Sequence, residues 1–316
     1  QFTLDLLAEF DCLDARPASS PLDPTLKLTS TCGPPLSDPT IYRRLTGKLN
    51  FLSPNLSFAV QSLSEFMQSP CSRHYQATLH TLRYLCHDPG IGLFMSPASS
   101  FQILAYCNSD WATCPESRRS VSGFFLSLGG SPISWKSKKQ PVVSLSSAEA
   151  EYRSMRRLVT EIAWIVHLLQ DLSAPPLLPI PLHCDNQAAT HIAKSPVFHE
   201  RTKHIEFDCH FVREKLLDGL ISLLFVPSSS QIADIFTKVL SGPLHRHLLG
   251  KLGISSGTSN LKGVLPENLH LQQNLKHIFK KVDLLNLCQG QNSICSLYIF
   301  FFSAFYLFSQ VKEFVR

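Results

Sequence analysis

Charge is scarce in this chain, since Asp, Glu, Lys and Arg make up only 17% of its 316 residues. Ordinary domains carry roughly 25%, so charge-block and coiled-coil architectures are excluded. The apolar share of 44% is normal, so the low charge does not signal general disorder. Glycine is sparse as well, 14 residues against 21 prolines, which rules out a collagen-like chain. Ten cysteines occur, at positions 12, 32, 71, 86, 107, 114, 184, 209, 288 and 295, yet no two form a Cys-x-x-Cys pair. No Cys/His cluster has zinc-finger spacing either. The cysteines read as scattered reduced thiols of an intracellular protein, with a disulfide framework as the alternative. No apolar run reaches the roughly 20 residues of a membrane-spanning helix. The strongest, Leu297 to Phe308, is far shorter and reads as a core strand, a sticky tail or translated non-coding sequence. No membrane partner is expected. The opening Gln1-Phe2-Thr3-Leu4-Asp5 has neither the basic nor the apolar region of a secretory signal.

What is present suits one large domain or two modest ones. The formal charge of +5 is compatible with a nucleic-acid partner but does not argue for one alone. The first forty residues, with Pro17-Ala18-Ser19-Ser20-Pro21 and Cys32-Gly33-Pro34-Pro35, read as an extended linker, because proline removes amide donors and restricts the residue before it. Tyr42, Leu45, Leu49 and Leu52 then keep helical spacing, loosely continued by Phe58, Leu63 and Phe66-Met67. A second helix, about Arg73 to Cys86, carries Tyr75, Leu79, Leu82 and Leu85 on one stripe.

Beyond these helices the periodicity changes to that of strands. Ile103 to Cys107, Val121 to Leu128, Pro132 to Trp135 and Val142 to Leu145 are short strand-like runs, with Gly129-Gly130 as a hairpin turn. Ser146-Ser147-Ala148-Glu149 is a capping box opening a helix whose apolar face is Met155, Leu158, Val159, Ile162, Ile165, Val166 and Leu169, and Pro175-Pro176 ends it. A strand at Leu182 to Cys184 follows, then helical segments near 186–194 and 205–217. Gly219 is a C-cap, Leu220 to Val226 a buried strand and Gln231 to Thr237 a last helix. The order is β-β-β-β-α-β-α-α-β-α, or three leading strands if the first pairings merge. It predicts a mixed sheet covered by helices.

Three acidic residues share a placement. Glu151 lies in the capped helix, Asp185 follows a short strand, and Asp234 stands in the first turn of the last helix. Oxygen ligands converging at a sheet edge suit a hard divalent cation. A plain alternative stands beside this, because acids in a first helical turn stabilise its dipole by about 0.3–1 kcal/mol.

The stretch from Ile133-Ser134-Trp135-Lys136-Ser137-Lys138-Lys139-Gln140 to Ser144-Leu145-Ser146-Ser147-Ala148-Glu149-Ala150-Glu151-Tyr152 closely resembles the RNase H region of copia-type LTR retrotransposon Pol polyproteins. Further matches occur in family order: Ser109-Asp110-Trp111-Ala112, Arg118 to Gly123, Cys184-Asp185-Asn186-Gln187-Ala188-Ala189, Arg201-Thr202-Lys203-His204-Ile205 and Ala233-Asp234-Ile235-Phe236-Thr237-Lys238. Upstream, Tyr42 to Leu52 and Leu82-Arg83-Tyr84-Leu85 are similar to the segment that follows the polymerase palm. The resemblance implies a reverse-transcriptase C-terminal segment (thumb- or connection-like) over 1–96 and an RNase H-like domain over 97–254. Residues 255–316 stay unassigned, with read-through as one reading. The implied fold is α/β, an RNase H-like mixed β-sheet with packed helices, preceded by a small mostly helical segment.

The resemblance also implies a chemistry, Mg²⁺-dependent hydrolysis of the RNA strand of an RNA–DNA hybrid, with two metals about 3.5–4 Å apart held by four carboxylates. Glu151, Asp185 and Asp234 match three of them. The fourth position departs. The family usually reads Tyr-x-Asp-x-Asp-Trp, whereas this chain has Tyr106-Cys107-Asn108-Ser109-Asp110-Trp111. A neutral amide with one oxygen cannot bridge two cations as a carboxylate does. Asp110 shares the face of Asn108 but lies about 6.6 Å further along the strand. A catalytically impaired domain is therefore expected, with a non-catalytic nucleic-acid-binding module or a decayed, unstable transposon remnant as the alternatives. The connection Leu52-Ser53-Pro54-Asn55-Leu56 is shorter than the family's, and no Asp-Asp pair occurs, so paired-aspartate polymerisation is excluded. Arg118, Arg119, Lys136, Lys138 and Lys139 are candidates to meet hybrid phosphates, with a solvated hairpin face as the alternative. Trp111 and Trp135 read as packed rather than stacked on bases, and His204 as either an aid to product release or a capping or core residue. The family places such proteins in a cytoplasmic virus-like particle or the nucleus, with other Pol- or Gag-derived proteins as partners.

Overall fold

A computed structural model describes residues 2–93, 102–194 and 205–256. The helical periodicity at the start yields α1 (Phe2–Glu9), α2 (Pro39–Leu49), a 3₁₀ turn (Pro54–Leu56), α3 (Ser57–Ser64) and α4 (Ser72–Cys86). Here one expectation is corrected. The first forty residues are not a bare linker, because α1 buries Leu6 and Leu7, and Leu22 and Cys32 are buried beyond it. The apolar series from Tyr42 to Met67 forms two helices, divided where Pro54 lacks an amide donor and resets the chain as a 3₁₀ turn. The short connection packs well all the same, with Leu56 fully buried beside Leu45, Leu49 and Leu82.

The sheet region consists of β1 (Ile91–Leu93), β2 (Ile103–Asp110), β3 (Val121–Leu128), β4 (Ser131–Lys139), α5 (Ser147–Asp171), β5 (Ile180–Cys184), α6 (Gln187–Lys194), α7 (Glu206–Leu217), β6 (Ile221–Phe225), a 3₁₀ turn (Ile232–Phe236), α8 (Gly242–Lys251) and β7 (Ile254–Ser256). Five strands form one sheet in the order β4-β3-β2-β5-β6. The first three are antiparallel, and β5 and β6 add in parallel beside β2. Three leading strands are thus realised in this sheet. The run Val142 to Leu145 is no strand but an exposed connection, with Leu145 74% accessible. The short pair β1–β7 and helix α8 were not foreseen. The Gln231–Thr237 segment is a 3₁₀ turn rather than an α-helix. Leu297 to Phe308 and His204 lie outside the described residues.

Strand side chains alternate between faces, and β2 uses both. Ile103, Ala105 and Cys107 join Phe124 and Leu126 under α5, α6 and α7, where the foreseen stripe from Met155 to Leu169 is buried. Tyr106 points the other way, into a second core with Phe125, Trp135, Ile235, Phe236 and Leu248. The last strand turns of β2 therefore carry functional groups to two sides.

His245 of α8 meets Tyr84 of α4 edge-on, with ring centroids 5.3 Å apart. Burial lowers its pKa to about 4, and the Asn55 backbone pulls only weakly the other way. Because folding depresses the pKa of this base, its contribution to stability is whole above the unfolded value near 6.5 and drains away as pH falls toward 4. The loss should approach about 3 kcal/mol. Urea unfolding at stepped pH should show it in the wild type and a flatter profile in His245→Phe.

Candidate active site

The sequence-predicted acids come to one end of the sheet from four elements. Asn108 and Asp110 stand at the end of β2, Asp185 directly follows β5, Glu151 projects from the first turns of α5, and Asp234 lies in the 232–236 turn. Parallel pairing of β2 with β5 is what places their C-terminal ends together.

On one side of β2, the Asn108 side chain is buried and donates through Nδ2 to Asp234 Oδ1 at 2.6 Å and to Thr237 Oγ1 at 2.7 Å. Lys238 Nζ reaches the same Asp234 oxygen at 2.9 Å. Burial raises the Asp234 pKa, Lys238 lowers it, and the charges of Asp185 and Asp110 raise it again. Asp110 is likewise raised by burial and lowered by Thr113 and Lys238. A buried carboxylate in such surroundings needs a counter-charge, and here the Lys238 ammonium supplies it while the neutral Asn108 amide adds a hydrogen bond.

On the other side, Glu151 is 4% exposed and accepts the Ser109 amide through Oε1 at 2.8 Å. Its Oε2 is buried with no hydrogen-bond partner among the described residues. Burial drives its pKa well above the usual carboxylate value, helped by the neighbouring Cys184 and by Asp185, while the Ser109 bond and Lys238 oppose this. Asp185 is half-buried and accepts from Ser228 Oγ at 2.9 Å. Its charge acts on both Glu151 and Asp234, so these acids share one electrostatic cluster around the end of β2.

Gln140 fixes this arrangement from beneath. It is 1% exposed and donates to Ser122 Oγ and the Ala150 carbonyl, both at 2.9 Å, and to Ser109 Oγ at 3.3 Å, while Oε1 accepts from Ser144 at 2.8 Å. It thus ties β2, β3 and the start of α5 together one residue before Glu151. Gln140→Leu would orphan several buried groups at once and should cost about 2–4 kcal/mol, read by urea unfolding; an unchanged midpoint would refute that role. Gln140, Thr237 and Lys238 lie within the family-like motifs, but residue type alone does not reveal whom they bond.

Of the basic candidates, Arg118, Arg119, Lys136 and Lys138 are exposed. The hairpin after β2 and the end of β4 bring Arg118, Arg119 and Lys138 to the end of the sheet that carries the acids, because Asp110 pairs with Val121 and Val121 with Lys139. Lys139 is set apart, ion-paired at 2.7 Å with Glu65 just after α3. Trp135 is half-buried in the second core, as expected. Trp111 is not packed away but 47% exposed just past the end of β2, where its indole N–H donates to the carbonyl of Ser144 in the connection before α5 at 2.9 Å.

A β-meander extended on its first strand by two parallel strands, with a long helix across β2, defines the class: an RNase H-like α/β fold. The chain is 39% identical over 258 residues to the retrovirus-related Pol polyprotein from transposon RE1 of Arabidopsis thaliana, covering 81% of this chain and 18% of that protein. It is 30% identical over 245 residues to the corresponding polyprotein from transposon TNT 1-94 of Nicotiana tabacum, covering 74% and 18%. The chain belongs to the copia-type retrotransposon Pol polyproteins and spans about a fifth of the length of these relatives. Among solved structures, LC11-RNase H1 in complex with an RNA/DNA hybrid matches 43% of this chain and 94% of its own, at 10% identity and a TM-score of 0.33. No family model matches.

Proposed function

We propose that residues 97–254 are an RNase H-type hydrolase domain acting on the RNA strand of RNA–DNA hybrids, weakened at Asn108, and that residues 1–96 are the C-terminal segment of the reverse transcriptase. The observation that carries this reading is the cluster itself. Asp185 acts electrostatically on both Glu151 and Asp234, and Asn108, at the end of β2, is bonded to Asp234.

The donor set fits a hard divalent cation such as Mg²⁺ in part. Oxygen ligands are present, and the orphaned buried Glu151 Oε2 is an acceptor that a cation would satisfy. At Asn108 an amide stands where a second ion would need a bridging carboxylate, and this supports the weakening proposed for hydrolysis. Glu151, Asp185 and Asp234 would hold the ion, and a divalent cation so bound supplies an acidified water and charge neutralisation at the leaving oxygen. The chain's own groups do the rest. Arg118, Arg119, Lys136 and Lys138 meet phosphates electrostatically, and Gln140 and the Ser109 amide hold Glu151 in position.

The test is cleavage of a labelled RNA–DNA hybrid by the full chain in Mg²⁺. Slow cleavage of the RNA strand, lost in Glu151→Gln and in Asp234→Asn, is expected. Cleavage that survives both substitutions would overturn the assignment. A non-catalytic hybrid-binding module is the second reading, favoured by Asn108 and Lys238 satisfying Asp234 without a metal; hybrid binding with no cleavage at any Mg²⁺ concentration would establish it.

A further inference from the structure

We infer that Cys32 and Cys71 form a peroxide-reactive dithiol that closes to a disulfide, fastening the extended segment before α2 to the first turn of α4. Their sulfurs are 2.9 Å apart, already well inside a van der Waals contact. The backbone around them is a fixed template. Leu36 N donates to the Pro70 carbonyl and Ser72 N to the Pro34 carbonyl, each at 3.0 Å, and Pro35 pairs with Cys71 in an isolated antiparallel bridge. Gly33 makes the approach possible, since its φ of +140° favours glycine and a Cβ there would stand 3.2 Å from Ser72 Oγ.

His74 completes the group and decides between thiol and metal chemistry. Two sulfurs and a histidine nitrogen, all buried, lie close enough to hold a metal ion. The imidazole is turned the wrong way for that. Its Nδ1 accepts the Cys71 amide at 3.0 Å, so the ring proton resides on Nε2. Nε2 is the atom that faces Cys32 Sγ at 3.1 Å, with the Thr29 carbonyl also at 3.1 Å. It is therefore a donor to sulfur rather than a lone pair for a cation. Phe66 stacks on the ring at 3.9 Å and holds that orientation.

Accessibility sets the order of events. Cys32 is 8% exposed and Cys71 3%, so a small oxidant reaches Cys32 first while bulky disulfides are shut out. Attack of the Cys32 sulfur on hydrogen peroxide forms the S–O bond and breaks the O–O bond while the thiol proton passes to the departing oxygen, giving a sulfenic acid and one water. Cys71 sulfur then displaces the hydroxyl as a second water, forming the S–S bond. Two thiols lose two electrons and two protons, and one peroxide is reduced to two waters. Burial pushes the Cys32 thiol up, so the reaction relies on proximity and the Nε2–H donor rather than on a preformed thiolate. The other buried thiol contact, Cys107 with Cys184, is wholly sealed at 0% exposure for both.

The full-length reduced chain, freed of metal with a chelator, would be treated with stoichiometric hydrogen peroxide, alkylated and peptide-mapped without reduction. A peptide pair joining Cys32 to Cys71, lighter by two hydrogens and released by dithiothreitol, is expected. The link closes a segment with a sequence separation of 39, so it should raise the melting temperature by about 5–15 °C. In Cys71→Ser the reaction should stop at the sulfenic acid on Cys32, trapped by dimedone. If that variant fails to fold, the wild-type map still decides. A cross-link between Cys107 and Cys184 formed first, or Cys32 and Cys71 both still open to alkylation, would overturn the inference. So would stoichiometric zinc in the purified chain that is lost in Cys71→Ser.

Discussion

Asn108→Asp is expected to raise Mg²⁺-dependent hybrid cleavage by about 10²–10⁴-fold, and to make the metal-free protein less stable than the wild type. Both effects come from one contact. Asn108 Nδ2 donates to Asp234 Oδ1 at 2.6 Å and to Thr237 Oγ1 at 2.7 Å, so the amide now does part of a cation's work. A carboxylate there removes the bond to Asp234, leaves the Thr237 contact to be remade with the hydroxyl as donor, and faces Asp234 with like charge, which two acids at that separation tolerate only by sharing a proton or a cation. Lys238 can serve one of them, not both. Without divalent cation the cost should be about 1–3 kcal/mol. With Mg²⁺ the pair becomes the bridging ligand set that the wild type lacks, and binding restores stability by linkage. Thermal unfolding in chelator and in Mg²⁺ separates the outcomes: a small shift for the wild type and a large one for the variant. Identical shifts would mean that Asn108 does not face the metal position, and inert cleavage with a large shift would place the defect elsewhere in the site.

Gly123→Ala should dismantle the same site from behind. Gly123 pairs with Asn108 across the β2–β3 ladder, so a side chain there would share the face on which Asn108 meets Asp234. An added Cβ would stand 2.7 Å from both Phe236 Cβ and Thr237 Cγ2, and 3.1 Å from the Phe236 carbonyl carbon. Backbone is involved, so the 232–236 turn must retreat, taking Asp234 away from Asn108. A loss of about 1–3 kcal/mol is expected. In the Asn108→Asp background, Gly123→Ala should also erase most of the gained cleavage. Gly47→Ala is the matched comparison: its Cβ meets nothing within 4 Å in the helix α2, and it should stabilise by up to about 1 kcal/mol. If both variants melt alike, the close approach is not what holds the turn.

Much of the sheet was legible because its signals are local. Alternation marked β2 and β3, the Gly129-Gly130 turn joined β3 to β4, and the stripe from Met155 to Leu169 gave the long helix, buried as its 3.6-residue period requires. Ser146 caps that helix as foreseen, accepting from the Glu149 amide at 3.2 Å, while Glu149 itself reaches one residue further back to the Leu145 amide. Val142 to Leu145 misled because β-branched residues resemble a strand wherever they stand, and the sheet edge at β4 was never extended to them. The early prolines misled in the opposite sense. They do keep the chain extended, but packing against α4 turns that extension into structure, as at Pro35 and Cys71.

The sequence by itself determined the elements with strong local signals, β2, β3, the turn joining β3 to β4 and α5, because helix and strand periods, caps and turns act over a few residues. It also determined that position 108 carries a neutral amide rather than a carboxylate, since that is a matter of residue identity. Tertiary structure alone decided who neutralises whom. Asn108 and Asp234 are separated by 126 positions and meet at 2.6 Å, and Cys32 and Cys71 by 39 and meet at 2.9 Å. Such contacts are set by strand order and by the space left at Gly123 and Gly33. Those are properties of packing between distant segments, and no local pattern encodes them.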